Sequence, residues 1–138
     1  MRISTDEYYL NIAKAVAARS TCLRRQYGAV IVNYGEIVST GYNGAVRGGI
    51  NCCDSNDCPR LNEPHNSGDY GTCRGVHAEQ NAMLSASRQE MIGGDMYLFG
   101  IENEKDIEDV VACPLCEKMI HNAGIKRLIT KNCIYKIQ

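Results

Sequence analysis

Two short clusters in this 138-residue chain carry side chains whose types and spacing suit chemistry: His77-Ala78-Glu79 and Cys113-Pro114-Leu115-Cys116. One imidazole and two thiolates make three ligands for zinc, and three protein ligands leave the fourth tetrahedral position to water. That pattern marks a catalytic rather than a structural zinc, because the ion lowers the pKa of such a water toward neutrality. Glu79, two residues from His77, can approach that water without binding the metal, as a general acid and base. Either cluster alone is a weak signal, since Cys-x-x-Cys is shared with zinc ribbons and redox proteins. Together the four residues argue for an enzyme. A structural zinc, or a nucleotide-binding module without turnover, has no need of a carboxylate beside an open ligand position.

Both clusters are expected at helix N-termini, where free N–H groups and the helix dipole favour thiolate over thiol. Helical spacing continues from His77 through Ala78, Ala82, Met83 and Ala86, and Gly93-Gly94 stops it. Pro114 suits a first helical position and Gly124 a left-handed cap, which bounds a further helix. Upstream, Ser4 and Glu7 form a capping-box pattern for a first helix ending near Ser20. Residues 28–32 and 36–40 read as strands joined by the turn Asn33-Tyr34-Gly35. Residues 96–99 and 125–129 read as further strands. Residues 133–137 add an edge strand in which Cys133 is expected as a small core residue. Residues 41–74 read as a long glycine-rich loop, and residues 101–110 as a solvated acidic insert. The order of helix, two strands, helix, strand, helix, strand argues for a layered α/β fold, expected as a single domain over residues 1–138.

With 44% hydrophobic residues the chain is long enough for a packed core. The net charge of -1, from 15 basic and 16 acidic residues, provides no positive field for a nucleic acid, so a small-molecule ligand is expected. No run approaches the roughly 18 apolar residues of a membrane helix, and residues 1–7 lack the apolar core of a signal peptide. The expectation is a soluble, cytoplasmic protein without a membrane partner. In that setting eight cysteines point to metal binding or catalysis rather than to disulfides.

These motifs, with Arg19-Ser20-Thr21-Cys22, Gly28-Ala29-Val30-Ile31-Val32, Gly41-Tyr42-Asn43-Gly44 and Asn51-Cys52-Cys53-Asp54, resemble the cytidine and deoxycytidylate deaminase family over nearly the whole chain. His77-Ala78-Glu79-Gln80-Asn81-Ala82 is the most specific piece. The resemblance implies a three-layer fold with a mixed five-stranded sheet flanked by helices, a catalytic zinc on His77, Cys113 and Cys116, and a homo-oligomer. It implies exchange of a ring's exocyclic amine for oxygen, with Glu79 moving the protons. The first expectation is dCMP to dUMP with release of ammonia. The alternatives are another ring (cytidine, cytosine, guanine, a pterin or adenosine) or a non-catalytic module. It also implies a second, structural zinc on Cys22 and Cys52; Cys58 and Cys73, in or beside the same glycine-rich loop, are expected to complete the set, with His65 or Cys53 as substitutes for either. For the substrate it points to Asn43 at the ribose, Arg24 or Arg25 at a phosphate, and Ala78 in the pocket. Arg47 and Arg74 are further candidates, because an arginine fork can donate two parallel hydrogen bonds to one anion. The chain departs from the family pattern twice. Ala112 stands where the family has proline, and residues 101–110 intervene where the family runs almost directly into its cysteine pair. The carboxylates of that insert, Glu102, Glu104, Asp106, Glu108 and Asp109, would repel a phosphate if they faced the pocket.

Overall fold

A computed structural model describes residues 1–61 and 73–137. The elements in chain order are α1 (Thr5–Ala17), β1 (Gln26–Asn33), β2 (Glu36–Tyr42), β3 (Gly44–Ala45), α2 (Cys52–Ser55), β4 (Gly75–Val76) and α3 (Ala78–Leu84). There follow α4 (Arg88–Met91), β5 (Asp95–Glu102), β6 (Lys105–Asp106), α5 (Pro114–Asn122), β7 (Arg127–Ile129) and β8 (Ile134–Lys136). The main sheet has the order β2-β1-β5-β7-β8, parallel between β5 and β7 and antiparallel elsewhere, and β6 pairs with the end of β5. The five-stranded expectation therefore holds for the main path, with one short strand added.

The central strands are apolar in an unbroken run because both of their faces are covered. Ala29, Ile31, Met96 and Leu98 pack with Ala82 and Met83 of α3 and Ile120 of α5. Val30, Val32, Tyr97 and Phe99 face the other way, onto Tyr9 and Ala13 of α1. Period-two alternation along one strand thus builds two cores and three layers.

Local signals fix most boundaries. The Ser4 hydroxyl accepts from the Glu7 N–H at 3.1 Å and starts α1, which ends at Ala17, earlier than the sequence suggests. The Ser20 hydroxyl instead donates to Asn43, which ties the segment after α1 to the sheet. Tyr34 and Gly35, both at positive φ, form the two-residue turn between β1 and β2. The helix expected to continue through Ala86 stops at Leu84, because Ser87 caps a separate turn, α4, by accepting from the Glu90 N–H.

Two expectations are corrected. Residues 101–110 are not a solvated loop. Ile101 and Glu102 continue β5, Asn103 and Glu104 turn at positive φ, and Lys105 and Asp106 return as β6, while Ile107 and Val110 are buried. Cys133 is exposed rather than in the core; it lies in the turn before edge strand β8, where its carbonyl accepts from the Thr130 N–H.

Strand β2 carries α3 in close contact. The Ser39 hydroxyl donates to the Ala82 carbonyl at 2.7 Å and Asn81 Nδ2 to the Tyr42 carbonyl at 2.8 Å. Gly41 permits this approach, because a Cβ there would stand 2.3 Å from Ala82 N and 2.6 Å from the Ala78 carbonyl oxygen. Both obstacles are backbone, so the helix itself would have to move. Gly41→Ala is expected to destabilise the protein by about 3 kcal/mol, the upper part of the overpacking range, and to lower the melting temperature by roughly 10 °C. Thermal unfolding followed by circular dichroism checks this.

Candidate active site

Helices α3 and α5 are brought together on one face of the sheet, and their first residues meet. His77 is the N-cap of α3 and Cys113 the N-cap of α5, both in extended backbone conformation. Pro114 occupies the first turn of α5, where its missing N–H is not needed. The His77 N–H donates to Gln80 Oε1 at 3.0 Å, and Cys113 Sγ accepts from the Cys116 N–H at 3.3 Å.

His77 Nδ1 lies 3.5 Å from Cys113 Sγ and 3.3 Å from Cys116 Sγ. A tetrahedral zinc with bonds of about 2.0 Å to nitrogen and 2.3 Å to sulfur would set such atoms about 3.5 Å apart. The observed edges fit one shared ion. Among the described residues this is the one group of three His, Cys, Asp or Glu donors lying within 4.8 Å of one another. The donor set, one imidazole and two thiolates, suits zinc and leaves a tetrahedral position open.

Glu79, in the first turn of α3, is only 5% exposed. Burial raises its carboxyl above the ordinary range, while its own backbone N–H, His77 and Cys116 pull the other way. Burial likewise pushes the Cys116 thiol up, and the neighbouring Glu79 adds to this. A bound cation would invert that logic, since its charge favours the thiolate outright. A carboxyl with its pKa raised beside a metal site is suited to hold a proton and give it up again.

The residues singled out in the sequence converge on a single cleft. His77, Glu79 and Cys113 line it with Ala78, Asn43, Arg24 and Arg25. Cys22, Cys52, Cys58 and Cys73 also line it, whereas Cys116 is fully buried and Arg47 is not part of the wall. Cys22 and Cys58 are near enough to Cys52 to raise its thiol, although burial is the larger cause. These four thiols are not drawn to ligand separation as the catalytic three are. Cys53 is exposed, and His65 lies outside the described residues.

Asn43 is heavily engaged. Its Oδ1 accepts from the Ser20 hydroxyl at 2.6 Å and the Tyr27 N–H at 2.8 Å, and its Nδ2 donates to the Arg25 carbonyl at 2.8 Å. The arginines have partners too. Arg24 Nη1 donates to the Arg60 carbonyl at 2.7 Å, and Arg74 binds Ser55 and Asp57. Arg25 Nε donates to Glu102 Oε2 at 2.9 Å and its Nη1 to Tyr27 Oη at 3.1 Å.

Among the wall residues that sequence reasoning missed, Tyr27 and Arg60 carry polar groups. Tyr27 stands two residues after Arg25 at the start of β1, a position that alternation could have marked as sharing a face with it. Arg60 is 2% exposed, and no local pattern announces its burial. The acidic insert behaves differently from the expected repulsion. Glu102 is paired with Arg25, Asp106 with Lys14 and Lys131, and Glu108 with Lys131. Asp106 lines a second cavity beside α1, together with Lys14 and Lys131, and not the catalytic cleft.

Residues 3–132 match the family model described as the cytidine and deoxycytidylate deaminase zinc-binding region. The chain belongs to this family. It is 36% identical over 129 residues to a deoxycytidylate deaminase of Schizosaccharomyces pombe, across 93% of this chain and 37% of the yeast protein. It is 38% identical over 130 residues to the deoxycytidylate deaminase of Mycobacterium phage D29, across 90% and 91% of the two chains. The chain thus spans little more than a third of the fungal relative and nearly all of the phage one. Its fold is similar to the apo crystal structure of dCMP deaminase from cyanophage S-TIM5, with TM-score 0.68 and 28% identity over 96% of this chain and 86% of that one. Family and geometry agree on a zinc held by His77, Cys113 and Cys116. Metal analysis is expected to find zinc at this triad in the purified protein, lost in Cys113→Ala and retained in Glu79→Gln, since Glu79 is not a ligand. Loss of the metal in Glu79→Gln would make the carboxylate part of the coordination.

Proposed function

We infer that this chain catalyses the zinc-dependent hydrolytic deamination of a cytosine nucleotide, dCMP to dUMP with release of ammonia, as a single domain. The observation that carries this reading is a buried Glu79 beside a three-donor metal site, in a cleft lined by arginines. Relatives named deoxycytidylate deaminase, at 36% and 38% identity over nine tenths of the chain, support the choice of ring and phosphate.

Zinc, when bound, supplies a water acidic enough to act as a nucleophile near neutral pH. Glu79 takes the proton from that water and passes it to the ring nitrogen next to the amine-bearing carbon. It then takes the remaining proton of the hydroxyl added to the ring and delivers it to the departing amine, so that the oxygen stays on the ring as a carbonyl and ammonia leaves. Burial suits Glu79 to this work, because a carboxyl with a raised pKa returns a proton more readily than an exposed one. His77, Cys113 and Cys116 hold the metal, and Ala78, fully buried between His77 and Glu79, forms part of the pocket against the base.

Asn43 keeps the second hydrogen of its Nδ2 for the sugar after fixing the loop to β1. Arg24 and Arg25 are the proposed phosphate partners. The carboxylates of residues 101–110 do not stand against this, since none of the five lines the cleft and Glu102, Asp106 and Glu108 are paired with cations. Another ring as substrate is the remaining alternative, and a module without turnover leaves the buried carboxyl unexplained.

Two quaternary and metal features extend the reading. Leu84 of α3 and Leu115 and Met119 of α5 are exposed on helices that pack together, which supports a homo-oligomer, measurable by sedimentation. The shared cleft wall of Cys22, Cys52, Cys58 and Cys73 supports a structural zinc on which these thiols close as it binds. Two zincs per chain would bear that out, and one would leave the thiols as cleft wall.

The test of function is ammonia release by the zinc-loaded protein from deoxycytidylate, cytidylate, cytidine, cytosine, guanine, pterins and adenosine. Turnover is expected to concentrate on deoxycytidylate. Glu79→Ala is expected to lose about 10²- to 10⁴-fold in kcat, the usual contribution of a positioned acid-base group. Activity confined to another ring would overturn the substrate, and unchanged activity in Glu79→Ala would overturn the mechanism.

A further inference from the structure

The hairpin that replaces the expected acidic loop reaches the catalytic cleft through one contact, the pairing of Glu102 with Arg25 of the cleft wall. Glu102 lies one step beyond the last pair of the β1–β5 ladder, Gln26 with Ile101, and so faces Arg25 across the two strands. On the other edge of β5 the same stretch is paired with β6, Ile101 with Asp106 and Glu102 with Lys105. The return strand is anchored in turn. Asp106 is bound by Lys14 at 3.1 Å and Lys131 at 3.5 Å, and Ile107 and Val110 are buried in the core. The backbone that carries Glu102 is therefore held from both sides, although it lies at the end of a strand, where fraying is the usual fate.

Arg25 is gripped at two of its nitrogens, Nε by Glu102 and Nη1 by the Tyr27 hydroxyl. Neither bond uses Nη2. Arg25 and Tyr27 both line the cleft that Glu79 lines. We propose that Glu102 is a positioning residue for the substrate's phosphate, acting through Arg25, and that the β5–β6 hairpin holds it in place for that purpose. This rests on the reading of Arg25 as a phosphate partner.

Two effects of opposite sign decide what Glu102 does. Its negative charge weakens the pull of Arg25 on an anion, while its hydrogen bond removes rotamer freedom that the arginine would otherwise lose on binding. The side chains of Arg25 and Glu102 are 26% and 41% exposed, so water and salt screen the first effect. Pre-organisation is not screened. The second effect wins, and Glu102 strengthens phosphate binding.

The experiment is steady-state kinetics on the zinc-loaded protein with dCMP and with deoxycytidine, together with competitive inhibition by dUMP and by deoxyuridine. Glu102→Ala is expected to raise the KM for dCMP and the inhibition constant of dUMP about tenfold, with kcat within twofold. Deoxycytidine and deoxyuridine, which lack the phosphate, are expected to shift less than twofold. Glu102→Gln keeps an acceptor for Arg25 Nε and is expected to restore most of the loss, which a merely structural hairpin defect would not permit. Where Glu102→Ala fails to fold, Glu102→Leu, which keeps the bulk and removes the acceptor for Arg25 Nε, takes its place with the same expected loss for dCMP and dUMP. Glu104→Gln removes a charge from the turn of the same hairpin, away from Arg25, and is expected to change nothing.

An unchanged or lower KM for dCMP in Glu102→Ala overturns the proposal, the lower value making Glu102 a competitor for Arg25. Equal losses for dCMP and deoxycytidine overturn it as well. Arg25→Ala separates the layers of the argument. If it leaves the preference for the phosphorylated ligand intact, the reading of Arg25 fails. If it abolishes that preference while Glu102→Ala does not weaken it, only the role of Glu102 fails.

Discussion

Three metal donors and a carboxyl are held together where the core meets the cleft, His77 and Cys113 half-buried and Cys116 and Glu79 buried, and the rest of the structure answers to that constraint. Cys116 is fully buried and Glu79 nearly so, and burial raises the pKa of each. Two thiols and a carboxyl in one place resist ionising together, because each charge disfavours the next. What opposes this within the protein is the positive end of two helices, since both α3 and α5 begin at the site. A cation completes the balance, so the site is built to be stable with metal and strained toward protonation without it.

Holding two helix starts in register to a few tenths of an ångström requires rigid supports. The sheet supplies them from one face, with α3 bound to β2 through Ser39, Gly41 and Asn81. The opposite face is closed by α1, which approaches β1 over Gly28, where a Cβ would meet the Ala13 carbonyl oxygen at 2.1 Å. Two glycines in adjacent strands thus let a helix close on each face. The catalytic groups ride on helix N-termini rather than on a free loop, which is where precision in such a site is best kept.

The parts of this arrangement that depend on near neighbours in sequence were legible. His77 and Cys113 announced helix starts and metal donors by type and spacing, Ser4 announced a cap, and Gly124 its positive φ. Parts that depend on distant partners were not. Nothing near Ser20 says that Asn43 will take its hydroxyl and shorten α1. Residues 101–110 looked like a solvated run because their charges were counted without Lys14, Arg25 and Lys131, which come from far along the chain to neutralise them. The apolar Ile107 and Val110 were the local sign of a return to the core, and the acidic composition outweighed it. Cys133 misled for the same reason in reverse, since an apolar neighbourhood in sequence became an exposed edge in space.

The near-zero net charge bears on how such a cleft selects an anion. With 15 basic and 16 acidic residues the molecule has little long-range field to draw a nucleotide in, and salt screens what field remains within about 10 Å. Selection must then come from donors already aimed. Each of the three arginines at the cleft that sequence reading marked is tied to a partner of its own: Arg24 to the Arg60 carbonyl, Arg25 to Glu102 and Tyr27, Arg74 to Ser55 and Asp57. An arginine fixed by one set of hydrogen bonds spends less freedom in making the next, so these ties trade raw charge for orientation. In a protein without a steering field, orientation is the stronger lever.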